Sequence, residues 1–164
     1  MRLTRREQLA ATAQQVYAVL TDAGFQHAKC EATTAGGRYE VEVSEHALGH
    51  RVRTARELPA DGLPDVARSF VGDTLTVVEV YDWGAPEPGG ARQASVDLHV
   101  QGAPLTLKGT LRLEGDGAGS LELLDAELKA TVPLVGGRIE RAAAGPIDAA
   151  IGRELDLLRE RLGG

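Results

Sequence analysis

Three residues of this chain have side chains suited to acid–base work on a bound molecule: Tyr39, His50 and Glu79. A phenol, an imidazole and a carboxylate facing one enclosed space could pass protons to a substrate. Burial there would raise the pKa of Glu79 and lower that of His50. Whether they meet depends on strand phase. Glu79 shares the parity of Leu75, Val77, Tyr81 and Trp83; in the opposite phase Val78 and Val80 point inward and Glu79 lies in solvent. His50 either shares the inward parity of Val52 or closes a strand end beside water. His46 and His50 stand four apart in "HALGH", a spacing that suits metal ligands on a helix. Gly49 makes this stretch a turn, so no metal site is expected. Cys30 is the only cysteine. It offers no disulfide and no metal cluster, and it reads as a small core residue rather than a nucleophile. No phosphate loop, dinucleotide fingerprint, nucleophile elbow or zinc-helix motif occurs, so no cofactor is expected.

The elements that position these residues follow from periodicity. "RLTRREQL" reads as an edge strand. In "ATAQQVYAVLTD", Thr12 and Gln15 have capping-box spacing, and Val16, Val19 and Leu20 form a helical face beside Tyr17. Asp22 can cap a second short helix carrying Phe25, Ala28 and Cys30, which ends at Gly36-Gly37. From Arg38 the period becomes two. Tyr39, Val41 and Val43 oppose Arg38, Glu40 and Glu42, and "HRVRTARELP" continues the sheet. "LPDVARSFVGD" interrupts it with a helical face of Leu63, Val66, Ala67 and Phe70, with Pro64 at a first helical position. After "TLTVVEVYDW", two strands alternate cleanly: Ala94, Val96, Leu98 and Val100, then Leu105, Leu107, Leu111 and Leu113. The phase shift at Leu123-Leu124 suggests a bulge, after which Leu124, Ala126, Leu128, Ala130 and Val132 line one side.

One-sided alternation across consecutive hairpins implies a sheet with one wet and one buried face. Only the last stretch is long enough to cover the buried face. There Ile139, Ala143, Ile147, Ile151, Leu155, Leu158 and Leu162 form an apolar stripe. A helix from Val135 to Leu162 would be roughly 40 Å long. Pro146 within it would remove a hydrogen bond and bend it. The Ala- and Gly-rich turns around Ala142 to Gly145 then either leave space for a cavity or let helix and sheet pack closely.

The bulk composition narrows the partners. The 164 residues suit one domain, 1–164, and a net charge of -6 disfavours nucleic acid. No apolar run reaches the ~20 residues of a membrane span, so stable membrane insertion is not expected. The opening charges are followed by no apolar core of a secretory signal, which points to the cytoplasm. Aromatic residues are only 4% of the chain, so the core must be built from Leu, Val and Ala.

"ATAQQVYAVLTDAGF" and the terminal helix resemble the START and polyketide-cyclase superfamily. "LPDVARSFVGDTLTVVEVYDW" together with "VPLVGGRIE" resembles an uncharacterised actinobacterial branch, domain-of-unknown-function family 2505, over nearly the whole chain. The resemblance implies an α+β helix-grip fold. A curved antiparallel sheet of about six to seven strands would wrap a long C-terminal helix, with two short helices after the first strand. It also implies a cavity used for lipids or other hydrophobic molecules, and it brings no established catalytic residues. The expected cavity residues are Tyr39, His50, Val52, Phe70, Glu79, Tyr81, Trp83, Leu98, Leu111, Leu128, Ile139, Ala143 and Ile147. The first reading is a non-catalytic binder of a hydrophobic small molecule, acting as a monomer or weak homodimer. A cyclase or dehydratase using Glu79, His50 and Tyr39 is the alternative, and an adaptor binding protein through the outer sheet face is a third. "LPDVARSFVGD" is expected to be a mobile lid, because so short a helix is unstable alone.

Overall fold

Capping sets the first turns of the fold. In the computed structural model, which describes residues 1–163, strand β1 (Arg2–Leu9) leads into helix α1 (Ala13–Leu20). The expected capping box is present: Thr12 accepts from the Gln15 backbone, and the Gln15 side chain accepts from the Thr12 N–H. Asp22 caps helix α2 (Ala23–Thr33) by accepting from the Phe25 N–H at 2.9 Å. Strands β2 (Tyr39–Glu45) and β3 (His50–Pro59) follow, then helix α3 (Asp65–Val71). Pro64 stands just before α3 rather than at its first position, and no side chain caps that helix. Strands β4 (Thr74–Trp83), β5 (Arg92–Val100), β6 (Leu105–Asp116) and β7 (Gly119–Ala130) precede helix α4 (Gly136–Arg161).

The seven strands form one antiparallel, curved sheet in the order β1-β7-β6-β5-β4-β3-β2. This is the helix-grip arrangement, with α4 on the concave face. Helix α4 continues through Pro146, as 26 residues and ~39 Å. Among the described residues, no helix is long and apolar enough to cross a membrane.

The strand register shows which side chains face inward. Paired residues share a face, so Thr54–Glu79–Leu98 and Val52–Tyr81–Val96 are inward rows. The bulge expected at Leu123-Leu124 is absent. Strand β7 pairs without interruption, Leu113 with Glu122 and Leu111 with Leu124. What looked like a phase shift is a charged residue in an inward position: Glu122 faces in, and Leu121 and Leu123 face out. On β1 the same register turns Arg5 and Glu7 inward. At Gly109 a Cβ would run into the Asp125 carbonyl and the Ala126 backbone, so only glycine lets β6 and β7 approach so closely there. The dense core gathers at one end, where Trp83, Phe25, Leu113, Val16 and Leu158 are at most 1% exposed.

Candidate functional site

The other end of the sheet is open inside. A cavity of about 480 Å³ lies between the sheet, α3 and the Ile139–Glu154 stretch of α4. Its wall is mostly apolar. Leu58 of β3, Val77 of β4, Leu98 of β5, Leu107 of β6 and Leu124 of β7 supply the sheet side. Ala142, Ala143, Ala149 and Ala150 make the α4 side shallow, flanked by Ile139, Ile147 and Ile151. Ala67, Phe70 and Val71 of α3, with Leu63 just before it, close it from that side. That helix buries none of its own residues, and Phe70 is 40% exposed.

One end of the cavity is polar. Glu79 of β4, 6% exposed, lies between two cations. Arg56 of β3 donates from Nη2 to Glu79 Oε2 at 2.8 Å, and Lys29 of α2 donates from Nζ to Oε1 at 3.2 Å. Lys29 Nζ is also 3.4 Å from Glu154 Oε2 on α4 and 5.6 Å from the Tyr81 ring centre. Arg56 donates from Nη1 to the Thr33 hydroxyl at 2.7 Å. Burial opposes ionisation of Glu79, but Lys29 and Arg56 outweigh it and hold the carboxyl at about 2. Burial likewise opposes the charge of Lys29, and Glu154 and Glu79 keep its ammonium above the ordinary range. Among the described residues Glu154 has one cation within ion-pair distance, Lys29 at the longer 3.4 Å. Burial, helped by the negative charge of Glu79, prevails there over Lys29 and Arg56, and its pKa is raised.

A small crevice of about 20 Å³ adjoins this end, bordered by Arg5, Glu7, Leu111, Glu122 and Glu154. Burial first, then the charges of Glu154 and Glu7, push Glu122 up to about 8.

Of the expected cavity residues, Phe70, Glu79, Tyr81, Leu98, Ile139, Ala143 and Ile147 border the space. Six others do not. Tyr39 lies on the inward face of β2, but α2 covers that edge strand. Its hydroxyl donates to Glu31 at 3.3 Å, and its ring packs on His27. His50 stands at the dense end, with Nδ1 2.6 Å from the Tyr17 hydroxyl and Nε2 3.2 Å from Glu45. Trp83 meets the edge of the Tyr17 ring at 5.2 Å between centres. Val52 and Leu128 are buried at 1% and 0% away from the cavity, and Leu111 borders the crevice instead. The phenol, imidazole and carboxylate therefore share no space. The expected rise in the pKa of Glu79 is reversed by two cations that strand phase alone does not bring into view. Among the described residues, no cluster of three or more His, Cys, Asp or Glu could hold a metal.

Lys29, Arg56, Glu154 and Glu122 are the site residues that periodicity analysis passed over. The first three carried a signal. Arg56 continues the inward parity of Val52 and Thr54. Glu154 lies three residues after Ile151 and four before Leu158, on the apolar stripe. Lys29 lies four after Phe25.

The family model described as "Protein of unknown function (DUF2505)" matches residues 4–162. None of the curated proteins matches the chain. Solved structures share its fold. The STAR-related lipid transfer protein from Xanthomonas axonopodis is 16% identical at a TM-score of 0.53, covering 99% of this chain and 86% of that one. The Zhui aromatase/cyclase from Streptomyces sp. R1128 is 12% identical at 0.58, covering 98% and 92%. A START superfamily protein from Mycobacterium smegmatis is 11% identical at 0.57, covering 98% of each. At these identities the likeness is one of fold.

Proposed function

The chain belongs to the family described as Protein of unknown function (DUF2505), and we propose that it binds a hydrophobic small molecule or lipid between the sheet and α4, without catalysing a reaction. The observation that carries this reading is the cavity itself. Its ~480 Å³ fall in the range of about 300–1,000 Å³ used for small-molecule sites, and its wall is aliphatic except at one end. Aliphatic side chains around a space of this size gain dispersion contacts from an apolar occupant. Helix α3 serves as the lid. It borders the cavity, buries none of its own residues and ends at Gly72, whose φ of 77° suits a hinge.

The cyclase or dehydratase alternative rests on Glu79, His50 and Tyr39. Only Glu79 borders the cavity, and a carboxylate held at about 2 is a weak base. The adaptor reading leaves the cavity without a role.

Two measurements test the proposal. Native mass spectrometry of protein purified from its own host is expected to show a co-purifying small molecule. After delipidation, the neutral fluorophore N-phenyl-1-naphthylamine is expected to bind, and Ala143→Trp, which fills the space beside α4, is expected to abolish that binding. A folded Ala143→Trp variant that binds the fluorophore as well as wild type would place the site elsewhere and sink the reading.

A further inference from the structure

The polar end of the cavity is rich in donors and short of acceptors. Arg56 and Lys29 both border it, at 5% and 1% exposure. A guanidinium carries five N–H donors and an ammonium three. Hydrogen bonds commit two on Arg56, to Thr33 and Glu79, and one on Lys29, to Glu79. Among the described residues, Arg56 Nε is buried with no partner at all. A buried donor left unpaired is costly, so this cluster is one acceptor group short.

The ion-pair geometry points the same way. Glu79 meets both cations, at 2.8 and 3.2 Å, whereas Glu154 approaches Lys29 alone, at 3.4 Å. Burial raises the pKa of Glu154 and pushes that of the neighbouring Glu122 up to about 8. Among the described residues neither acid is a hydrogen-bond partner of Arg56.

We infer that the cavity's ligand is an amphipathic monoanion, an apolar body ending in one carboxylate that docks on Arg56 and Lys29. This rests on the binding reading above and gives its ligand a chemical class. A carboxylate is acceptor-only, with two oxygens that match the guanidinium fork. It supplies the acceptor that Arg56 Nε lacks, and its charge faces the two cations of Arg56 and Lys29. A neutral alcohol lacks both the charge and the second oxygen, and a neutral ester lacks the charge and a pair of equivalent, strongly accepting oxygens. At about 30 Å³ per water-sized group, the cavity has room for on the order of fifteen such groups, which fits a medium-length chain or a small ring system.

The test compares laurate, dodecanol and methyl laurate by titration calorimetry against the delipidated full chain at pH 7. Laurate is expected to bind at least tenfold more tightly than either neutral probe. In Arg56→Gln that preference is expected to disappear while dodecanol affinity stays within a factor of two. Should Arg56→Gln fail to fold, carboxyl-¹³C laurate on the wild type gives the same answer. Its bound carbon resonance should remain at the ionised position at pH values where free laurate is already protonated. Three equal affinities, a preference for the ester, or a bound carboxyl that protonates like free laurate would each overturn the carboxylate inference and leave the binding reading intact. No binding of any probe would overturn both.

Discussion

Replacing Glu122 by Gln is expected to stabilise the protein at neutral pH, against the usual outcome for a substitution on a buried strand face. Glu122 faces inward from β7, opposite Leu113 on β6 and Glu7 on β1. Its carboxyl titrates at about 8 in the fold, against an ordinary glutamate's 4.5. The folded state therefore keeps a proton that the unfolded chain releases across that window. Its contribution is fully present below pH 4.5 and is lost as pH rises toward 8. The loss is about 1.4 kcal/mol per pH unit, so roughly 3.5 kcal/mol has gone by pH 7, levelling off near ~5 kcal/mol above pH 8. Gln is nearly isosteric and carries no such proton. Urea unfolding of wild type and Glu122→Gln at pH 5, 6, 7 and 8 should show equal slopes, nearly equal midpoints at pH 5, and a growing advantage for the variant above it. At ~2–4 °C per kcal/mol for a chain this size, the melting temperature should rise by about 7–14 °C at pH 7. A difference that stays flat from pH 5 to 9, or a variant less stable at pH 8, would refute the assignment of a proton to Glu122.

Four further outcomes follow from the structure. Lys29→Met removes one of Glu79's two cations inside the protein and should cost about 3–5 kcal/mol in chemical denaturation; adding Glu79→Gln should not restore it, because Arg56 would then be stranded. Phe70→Ala should cost well under the ~3–5 kcal/mol of a core phenylalanine, since Phe70 is 40% exposed, yet it should speed release of a cavity-bound fluorophore in stopped flow. Hydrogen exchange of residues 63–71 should slow when that fluorophore binds; strong protection with and without it would make α3 a fixed plug. Gly109→Ala should destabilise by ~1–3 kcal/mol or more, visible as a lower melting temperature, because its Cβ meets the Asp125 carbonyl on β7.

Local periodicity was enough to reach the element order and the long helix over one sheet face, while the helix-grip fold was implied by the family resemblance. The Thr12–Gln15 spacing, the alternation from Arg38 onward and the apolar stripe on α4 each report a local preference, and each appears where expected. The cavity wall was legible wherever one strand's parity meets α4 directly, as at Leu98, or α4's own stripe, as at Ile147. It was illegible where another element intervenes. Tyr39 and His50 have the inward parity, but α2 and Tyr17 stand between them and the cavity. Pairing across elements was also out of reach. Nothing local reveals that Lys29, Arg56, Glu79 and Glu154, from two helices and two strands, converge, and so the sign of the Glu79 shift was reversed. The apparent bulge at Leu123-Leu124 failed for the same reason. Periodicity analysis assumes that inward means apolar, and Glu122 breaks that assumption.

The convergence of charges explains how an apolar cavity stays open. Aliphatic walls left to themselves gain contacts by closing, so something must hold α4 off the sheet. At the dense end the spacing is set by Leu155 and Leu158, packed at 2% and 0% exposure. Next to the cavity it is set by ion pairs, because Lys29 must reach both Glu79 at 3.2 Å and Glu154 at 3.4 Å. Moving α4 inward or outward would break one contact and leave a buried charge uncompensated, at a cost of several kcal/mol. Helix α4 is thus fixed over its C-terminal third, from Glu154 to Leu158, and its first turns are tied to β7 where the Ala130 N–H donates to Glu140 at 3.0 Å. The stretch from Ile139 to Ile151 then faces the sheet across a gap, and its alanines at 142, 143, 149 and 150 are too short to fill that gap. Small residues that weaken the helix as a packing surface are the ones a binding cavity needs there. The same charges that hold the space open leave Arg56, at its polar end, with a donor still unpaired.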